Sequence, residues 1–414
     1  MTAMSAVSRF DRARFAQLAD WFAVGVAVVL PWSTSATGIF IALWLIALLL
    51  ALNLTALRLA LFTAAGGVPV LLCCLGALGM LWADVDWTAR LGGLDGFVRL
   101  LAIPLLLAQF RRSDYGNRVA CGFLLSSAAV LLVSFLLVLT PGLTWRGHVV
   151  TGIPVHDEIF QGSEFIICGF GALGCAVIEG KRLDRRLISM LVALAALFFA
   201  NFAFVTISRV TVLVAPILAV LLGWWSFRWR GVFGAAILAA AIAIVALHFS
   251  ASLQNRMNQS IVELQSYRAT NTGTAIGEHL AFLKESLSIV ASAPVLGHGT
   301  GSILQEFRRI AAGKTGVSGE LTSNPHNQTF AVAIQIGVVG AFLLWFMWIA
   351  HLVLFREGGI TAWLGTVVVV ENIVSSFFHT HLFDFNNGWL YVFGVGVLGG
   401  TVLRKRHEIP NGSC

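Results

Sequence analysis

Two short runs in this chain bring together residues able to do chemistry at a membrane edge: Asn324-Pro325-His326-Asn327, and Val205-Thr206-Ile207-Ser208-Arg209. Asn is a good helix N-cap and Pro suits the first helical position, so the spacing predicts a helix opening on Asn324 and Pro325. His326 is then expected in the first turn. The positive end of the helix dipole disfavours imidazolium there, and a neutral imidazole can act as a general base beside a bound anion. The plain alternative is an interfacial His that only reaches toward the headgroups.

Arg209 stands ahead of a long apolar run. An Arg at the membrane centre costs roughly 3 kcal/mol on insertion scales, so an anionic partner or a watery cavity is expected. The planar guanidinium suits phosphate or carboxylate. Arg99 and Asp95, four residues apart, read as a structural ion pair on one helix face. Asp384 lies among His379, His381, Asn386 and Asn387, a group whose irregular spacing argues against a metal site. Gly297-His298-Gly299-Thr300-Gly301 lacks the Gly-Lys-Ser/Thr ending of a phosphate-binding loop and reads as a turn between two surface helices.

These residues need a scaffold, and composition says which kind. Hydrophobic residues make up 58% of the 414 and charged ones 11%, against about 25% charged in soluble domains. Mean hydropathy is +0.85. Apolar runs of about 18 to 25 residues match a hydrocarbon core roughly 30 Å thick. The fold class expected is an all-α polytopic membrane protein with about twelve transmembrane helices, centred near residues 23, 44, 72, 102, 129, 169, 195, 217, 240, 338, 369 and 394.

Basic residues then orient it. Arg111, Arg112, Lys181, Arg182, Arg185, Arg186, Arg404, Lys405 and Arg406 all fall in even-numbered loops or the C-terminal tail, whereas the short odd-numbered loops hold only Arg90 and Arg146. Both termini are expected in the cytoplasm and the long polar segment outside. The net charge of +7 is therefore a topology signal, and no nucleic-acid partner is expected. None of the cysteines lies in the outer segment, so no disulfide framework is expected. The first helix, after a basic start and with a second helix following at once, reads as an uncleaved anchor.

Three parts are expected: 1–250 with nine membrane helices, 251–324 as a large outer helical segment, and 325–414 with three more. In the outer segment, Leu280, Leu283, Leu287 and Val290, then Ile303, Leu304 and Phe307, fall at helical spacing. They predict two amphipathic helices on the outer membrane surface, packed on the bundle because about 75 residues hardly make a core of their own.

Four pieces in order carry a family resemblance. Ser208-Arg209 opens a helix, and Ile276-Gly277-Glu278-His279-Leu280-Ala281-Phe282 follows. Then come Pro294-Val295-Leu296-Gly297-His298-Gly299-Thr300-Gly301 and Asn324-Pro325-His326-Asn327. The combination resembles the O-antigen ligase family of Gram-negative bacteria, within the superfamily that includes O-antigen polymerases. The resemblance implies a GT-C-type glycosyltransferase of the inner membrane with a periplasmic active site. It would move a glycan from undecaprenyl diphosphate to a sugar of lipid A–core, with no nucleotide sugar, no cofactor and no metal.

His326 matches the family's catalytic His, and Arg209 matches an Arg expected to hold the diphosphate. Where relatives carry Arg in a Gly-x-Arg-Leu motif, this chain has His279. His279, Arg268 or Arg146 is expected to fill the second phosphate contact. Ser208, Asn324, Asn327 and Asp384 complete the expected substrate-binding set. Polymerase chemistry on the same donor is one rival reading. Transport of a polysaccharide or anion past Asp95, Arg99 and Arg209 is another, though it ordinarily shows broken helices in two symmetric halves.

Overall fold

A computed structural model describes residues 2–140, 142, 152–206, 209–237, 262 and 275–408, and among them every regular element is helical. The first seven helices are α1 (Thr2–Val29), α2 (Thr34–Ala51), α3 (Leu54–Leu61), α4 (Ala64–Gly79), α5 (Trp87–Arg99), α6 (Ala102–Phe110) and α7 (Gly116–Leu139). Next come α8 (Glu158–Ile178), α9 (Arg185–Phe204), α10 (Arg209–Phe227), α11 (Ala275–Ser292) and α12 (Ile303–Ala311). The last three are α13 (Gln328–Leu354), α14 (Ile360–Ser375) and α15 (Phe385–Glu408). Caps start them where expected from side chains: Ser33, Asn53, Thr63, Asp86, Asp157 and Asp184 each accept from a backbone N–H of the first turn.

Among the described residues, seven helices are long and apolar enough to cross a membrane, or eight if α3 and α4, bent by 83°, make one span. That establishes a multi-pass α-helical membrane protein, and by this measure it stops short of twelve. The shortfall has causes. The first half of α1 is charged, α14 has only 16 residues, α15 is glycine-rich and ends on Arg404-Lys405-Arg406, and the expected centre at 240 lies outside the described residues. A left-handed turn at Arg228 (φ 56°) separates α10 from a further helical stretch at 229–237.

The bundle buries Trp44, Phe97, Phe110, Trp348, Trp363 and Tyr391 in one continuous core, while Ile39, Ile46, Leu49 and Leu50 of α2 stay exposed as lipid-facing residues would. Loop residues meet at the two ends of α15. At one end, Arg406 pairs with Glu357 at 2.6 Å and Lys405 bonds Thr361 at 2.8 Å. At the other, His156 reaches the Leu30 carbonyl at 3.2 Å and Asn386 at 3.2 Å. Arg99, buried in α5, pairs with Asp95 and donates to the carbonyls of Phe383 and Asp384. The expected ion pair is therefore also an anchor for the α14–α15 loop.

Helices α11 and α12 pack on the bundle. Phe282 and Ile289 of α11, and Ile303 and Phe307 of α12, meet Ala331 and Ile334 of α13 in a second cluster. The buried face of α11 is Ala281, Phe282, Glu285, Ser286 and Ile289, whereas Leu283 and Leu287 are exposed. The helix thus buries polar Glu285 and Ser286 beside Phe282, while Leu283 and Leu287 of the apolar stripe stay on its outer side. Lys314 then bonds Glu285 at 3.3 Å.

The glycine loop departs most from expectation. Instead of a surface turn, 294–302 is inserted into a kink of α13 at Ile336-Gly337. His298 and Gly299 N–H donate to the carbonyls of Ile334 and Gln335, both at 2.8 Å, and the Pro294 carbonyl accepts from Val338 N–H at 2.8 Å. Thr300 bonds the carbonyls of Gly79 and Gly76, and Gly301 N–H bonds the Gln335 side chain. Every N–H from Gly297 to Ser302 is thus spent on protein acceptors, which leaves none for a phosphate.

Candidate active site

The junction at 323–327 is built differently from the expected cap. Asn324 accepts from the His326 N–H at 2.9 Å, an Asx turn, and His326 itself adopts a left-handed backbone (φ 52°). A left-handed residue cannot continue into an α-helix, so α13 opens one step later. Asn327 is its cap and accepts from Phe330 N–H at 3.1 Å. The expected cap at Asn324 with His326 in the first turn is therefore corrected: His326 sits just before the cap, on a strained turn. Such strain is kept only where surroundings over-determine it.

The α14–α15 loop supplies those surroundings. Asn327 Nδ2 donates to the Phe377 carbonyl at 3.2 Å, Gln328 N–H to the Ser376 carbonyl at 2.8 Å, and Leu382 N–H to Gln328 Oε1 at 2.9 Å. Thr380 donates to Asn324 Oδ1 at 3.1 Å, and Asn324 Nδ2 lies 3.4 Å from His379 Nε2. Replacing Asn324 with alanine removes the acceptor that holds His326.

The His326 ring packs in an aromatic cage. It stacks on Phe282 at 5.8 Å between centroids, with His379 at 5.5 Å and His279 at 6.3 Å edge-on. His279 stacks on Phe378 at 5.7 Å, and His379 lies 5.6 Å from His381. Burial, then the neighbouring His379 and His279, lower the His326 pKa to about 4. Burial likewise lowers His279, and lowers His379 against the opposing pull of Asp384 and Asp157. Burial and then His379 take His381 to about 3. The imidazoles are neutral at physiological pH, and desolvation is the leading cause, where the sequence argument had relied on the helix dipole.

A half-buried neutral imidazole at the loop end of a membrane bundle, held against α11 and α13, is the geometry against which a comparison has meaning. Residues 194–345 match the family model described as O-antigen ligase. Over that stretch the chain is similar to O-antigen ligases. No curated protein sequence matches it.

The family match runs from α9 into α13 and so takes in Arg209, His279 and His326. Arg209 is the first residue of α10; its side chain, and all of Ser208, Arg146 and Arg268, lie outside the described residues. The corner ahead of it is tied down by a buried network. Asn201 Nδ2 donates to Ser134 Oγ at 2.8 Å, Thr206 Oγ1 to Asn201 Oδ1 at 3.3 Å, and Gln161 Nε2 to the Gly152 carbonyl at 3.1 Å. Asp384 caps α15, accepting from the N–H and the side chain of Asn387 at 2.8 and 3.0 Å. Asn327 is likewise occupied as a cap, and Asn324 as the turn that sets His326.

Residues that sequence reasoning left out of this candidate site are Phe282, His379, His381 and Glu371. The His379-x-His381 pair was visible but was weighed only as a metal ligand set. Among the described residues, no three His, Cys, Asp or Glu side chains converge as metal ligands. Instead the imidazoles from three separate segments line up edge to face, a relation no local spacing encodes.

Proposed function

We propose that this protein is an O-antigen ligase that transfers a glycan from undecaprenyl diphosphate to a sugar hydroxyl of lipid A–core. The observation that carries the reading is His326: a neutral imidazole, caged by Phe282, His279 and His379, on a turn held by Asn324. In this reading the neutral ring takes the proton of the acceptor hydroxyl. The hydroxyl oxygen attacks the anomeric carbon in line, and the bond to the diphosphate oxygen breaks with its electron pair leaving on undecaprenyl diphosphate. In-line attack inverts the anomeric centre. Diphosphate is already a good leaving group, so what remains is to neutralise its developing charge, the role assigned to Arg209. His279, Arg268 or Arg146 supplies the second phosphate contact.

The same reading places the site in the periplasm, the chain in the inner membrane with twelve spans of GT-C type, and both termini inside. The parts are 1–250, 251–324 and 325–414. Transport is the weaker reading. Breaks do occur, between α3 and α4 and within α13, but the one in α13 is filled by 294–302, with its freed carbonyls taken by His298 and Gly299. A transport path needs such groups open to the solute.

Purified protein incubated with lipid-linked glycan and lipid A–core tests the proposal. Glycan-bearing lipid A–core is the expected product. Longer lipid-linked chains would instead establish a polymerase, and absence of any product would sink both. Arg209→Ala is expected to lower kcat about 10²–10³-fold, read in the same assay; transfer at the parental rate would remove Arg209 from the mechanism.

A further inference from the structure

Behind His326 a row of buried groups leads into the bundle. His379 stands 5.5 Å from His326, His381 stands 5.6 Å from His379, and His381 Nδ1 lies 3.9 Å from Glu371 Oε1 on α14. His381 and Glu371 are buried. Among the described residues, neither nitrogen of His381, nor Nδ1 of His379, has a hydrogen-bond partner. A buried imidazole with both nitrogens unpaired is rare and calls for a role. Glu371 Oε1 accepts from Ser375 Oγ at 2.8 Å, and the Ser163 hydroxyl of α8 also reaches its carboxyl. An ionisable group at this depth is a functional-site candidate by default, with its facing His as partner.

We propose that His379, His381 and Glu371 form a relay that takes the proton collected by His326 and holds it on the Glu371 carboxyl while the glycan is transferred. This inference rests on His326 being the base. The acceptor hydroxyl gives its proton to His326; His326 passes one to His379, His379 to His381, and His381 to the Glu371 carboxylate, which becomes a carboxylic acid. Each ring meets the next edge to face, in direct contact. The proton returns along the same row to bulk water after the products leave, so the cycle balances without another reactant. Each imidazole is neutral beforehand, because burial keeps its pKa low, and so each can accept in turn.

Other charged groups frame the row. Asp384 at the start of α15 and Asp157 at the start of α8 face His379, and His279 faces His326 from α11. Arg99 of α5 spends its donors on Asp95 and the backbone of 383–384. His156 approaches by way of Asn386. None of these lies between His381 and Glu371, which leaves the carboxylate as the end of the row.

His379, His381 and Glu371 act through His326 and are positioning residues, so the test must read more than lost activity. The probe is transfer by purified full-length protein in lipid nanodiscs, with undecaprenyl-diphosphate-linked glycan and lipid A–core, at rising concentrations of imidazole buffer. The parent enzyme is expected to be insensitive to buffer. Glu371→Gln and His381→Asn are expected to lose about tenfold or more in kcat with KM little changed, and to regain rate as buffer base rises. Glu371→Asp restores part of the loss without buffer. Should either buried variant fail to fold, His379→Gln, on a partly exposed loop, must show the same buffer dependence. Parental kcat in these variants, or a loss that buffer does not relieve, overturns the relay. His326→Ala run in parallel separates the two ideas. An active His326→Ala removes the base itself, whereas an inactive one beside a normal Glu371→Gln removes the relay alone.

Discussion

Replacing His326 with alanine is expected to lower kcat for glycan transfer about 10²–10⁴-fold, the range that a positioned general base contributes. The substitution carries a complication from the backbone: His326 is left-handed at φ 52°, and alanine there costs roughly 1–2 kcal/mol. Asparagine tolerates that conformation and cannot act as a base, so His326→Asn isolates the chemistry from the strain. Both variants should lose transfer alike while only the alanine form melts earlier. Full transfer by His326→Asn would show that the ring does no proton work.

The same group sets a pH dependence with a definite sign. The folded pKa of His326 is depressed to about 4, so the neutral base persists well below the usual histidine value of about 6.5. We expect kcat/KM to stay level from neutral pH down and to drop only as pH falls through about 4. An acid limb near 6.5 would mean that the cage does not desolvate the ring. Stability runs the other way in that window. Between about 6.5 and 4 the unfolded chain binds protons that the folded protein refuses at His326 and His381, so acidification across it weakens the fold.

The second large effect is structural. Gly337→Val is expected to cost about 2–4 kcal/mol, seen as a drop in melting temperature in detergent and as lower yield of folded protein. Gly337 has φ 68° and ψ −170°, a region open essentially to glycine, and a Cβ there would collide with the Val295 carbonyl. The neighbouring bonds make the cost cooperative. The α13 kink frees the Ile334 and Gln335 carbonyls and the Val338 N–H, and the inserted loop supplies a partner for each. Forcing the loop out leaves these groups unpaired in the bundle interior. Gly234→Val is the contrasting control, because a Cβ there meets nothing within 4 Å; it should melt with the parent.

Much of this was legible from residue types. Apolar runs announced membrane helices because lipid leaves the backbone no other partner than itself. Charge asymmetry sorted the loops into two sets, because basic side chains resist crossing the bilayer. Asp95 and Arg99, four apart, had to share a helix face, and they do pair. His326 and Arg209 stood out because a titratable ring and a guanidinium are costly beside apolar runs and need a reason.

Other features depended on distance in space. Leu283 and Leu287 marked an apolar stripe on α11, but the face that meets α13 carries Phe282, with Glu285 buried nearby, because a distant helix and not local spacing decides what is covered. The cap slid from Asn324 to Asn327 because Thr380, 56 residues away, completes the turn that holds His326 left-handed.

What the sequence by itself determined is therefore the medium, the helices and the candidate base, since these follow from each residue's own transfer energy and periodicity. What only the tertiary structure decided is the environment of that base. Burial against Phe282, the rings of His279 and His379, and the row leading to Glu371 come from segments far apart in the chain. A pKa is set by desolvation and neighbouring charge, and neither exists until those segments meet.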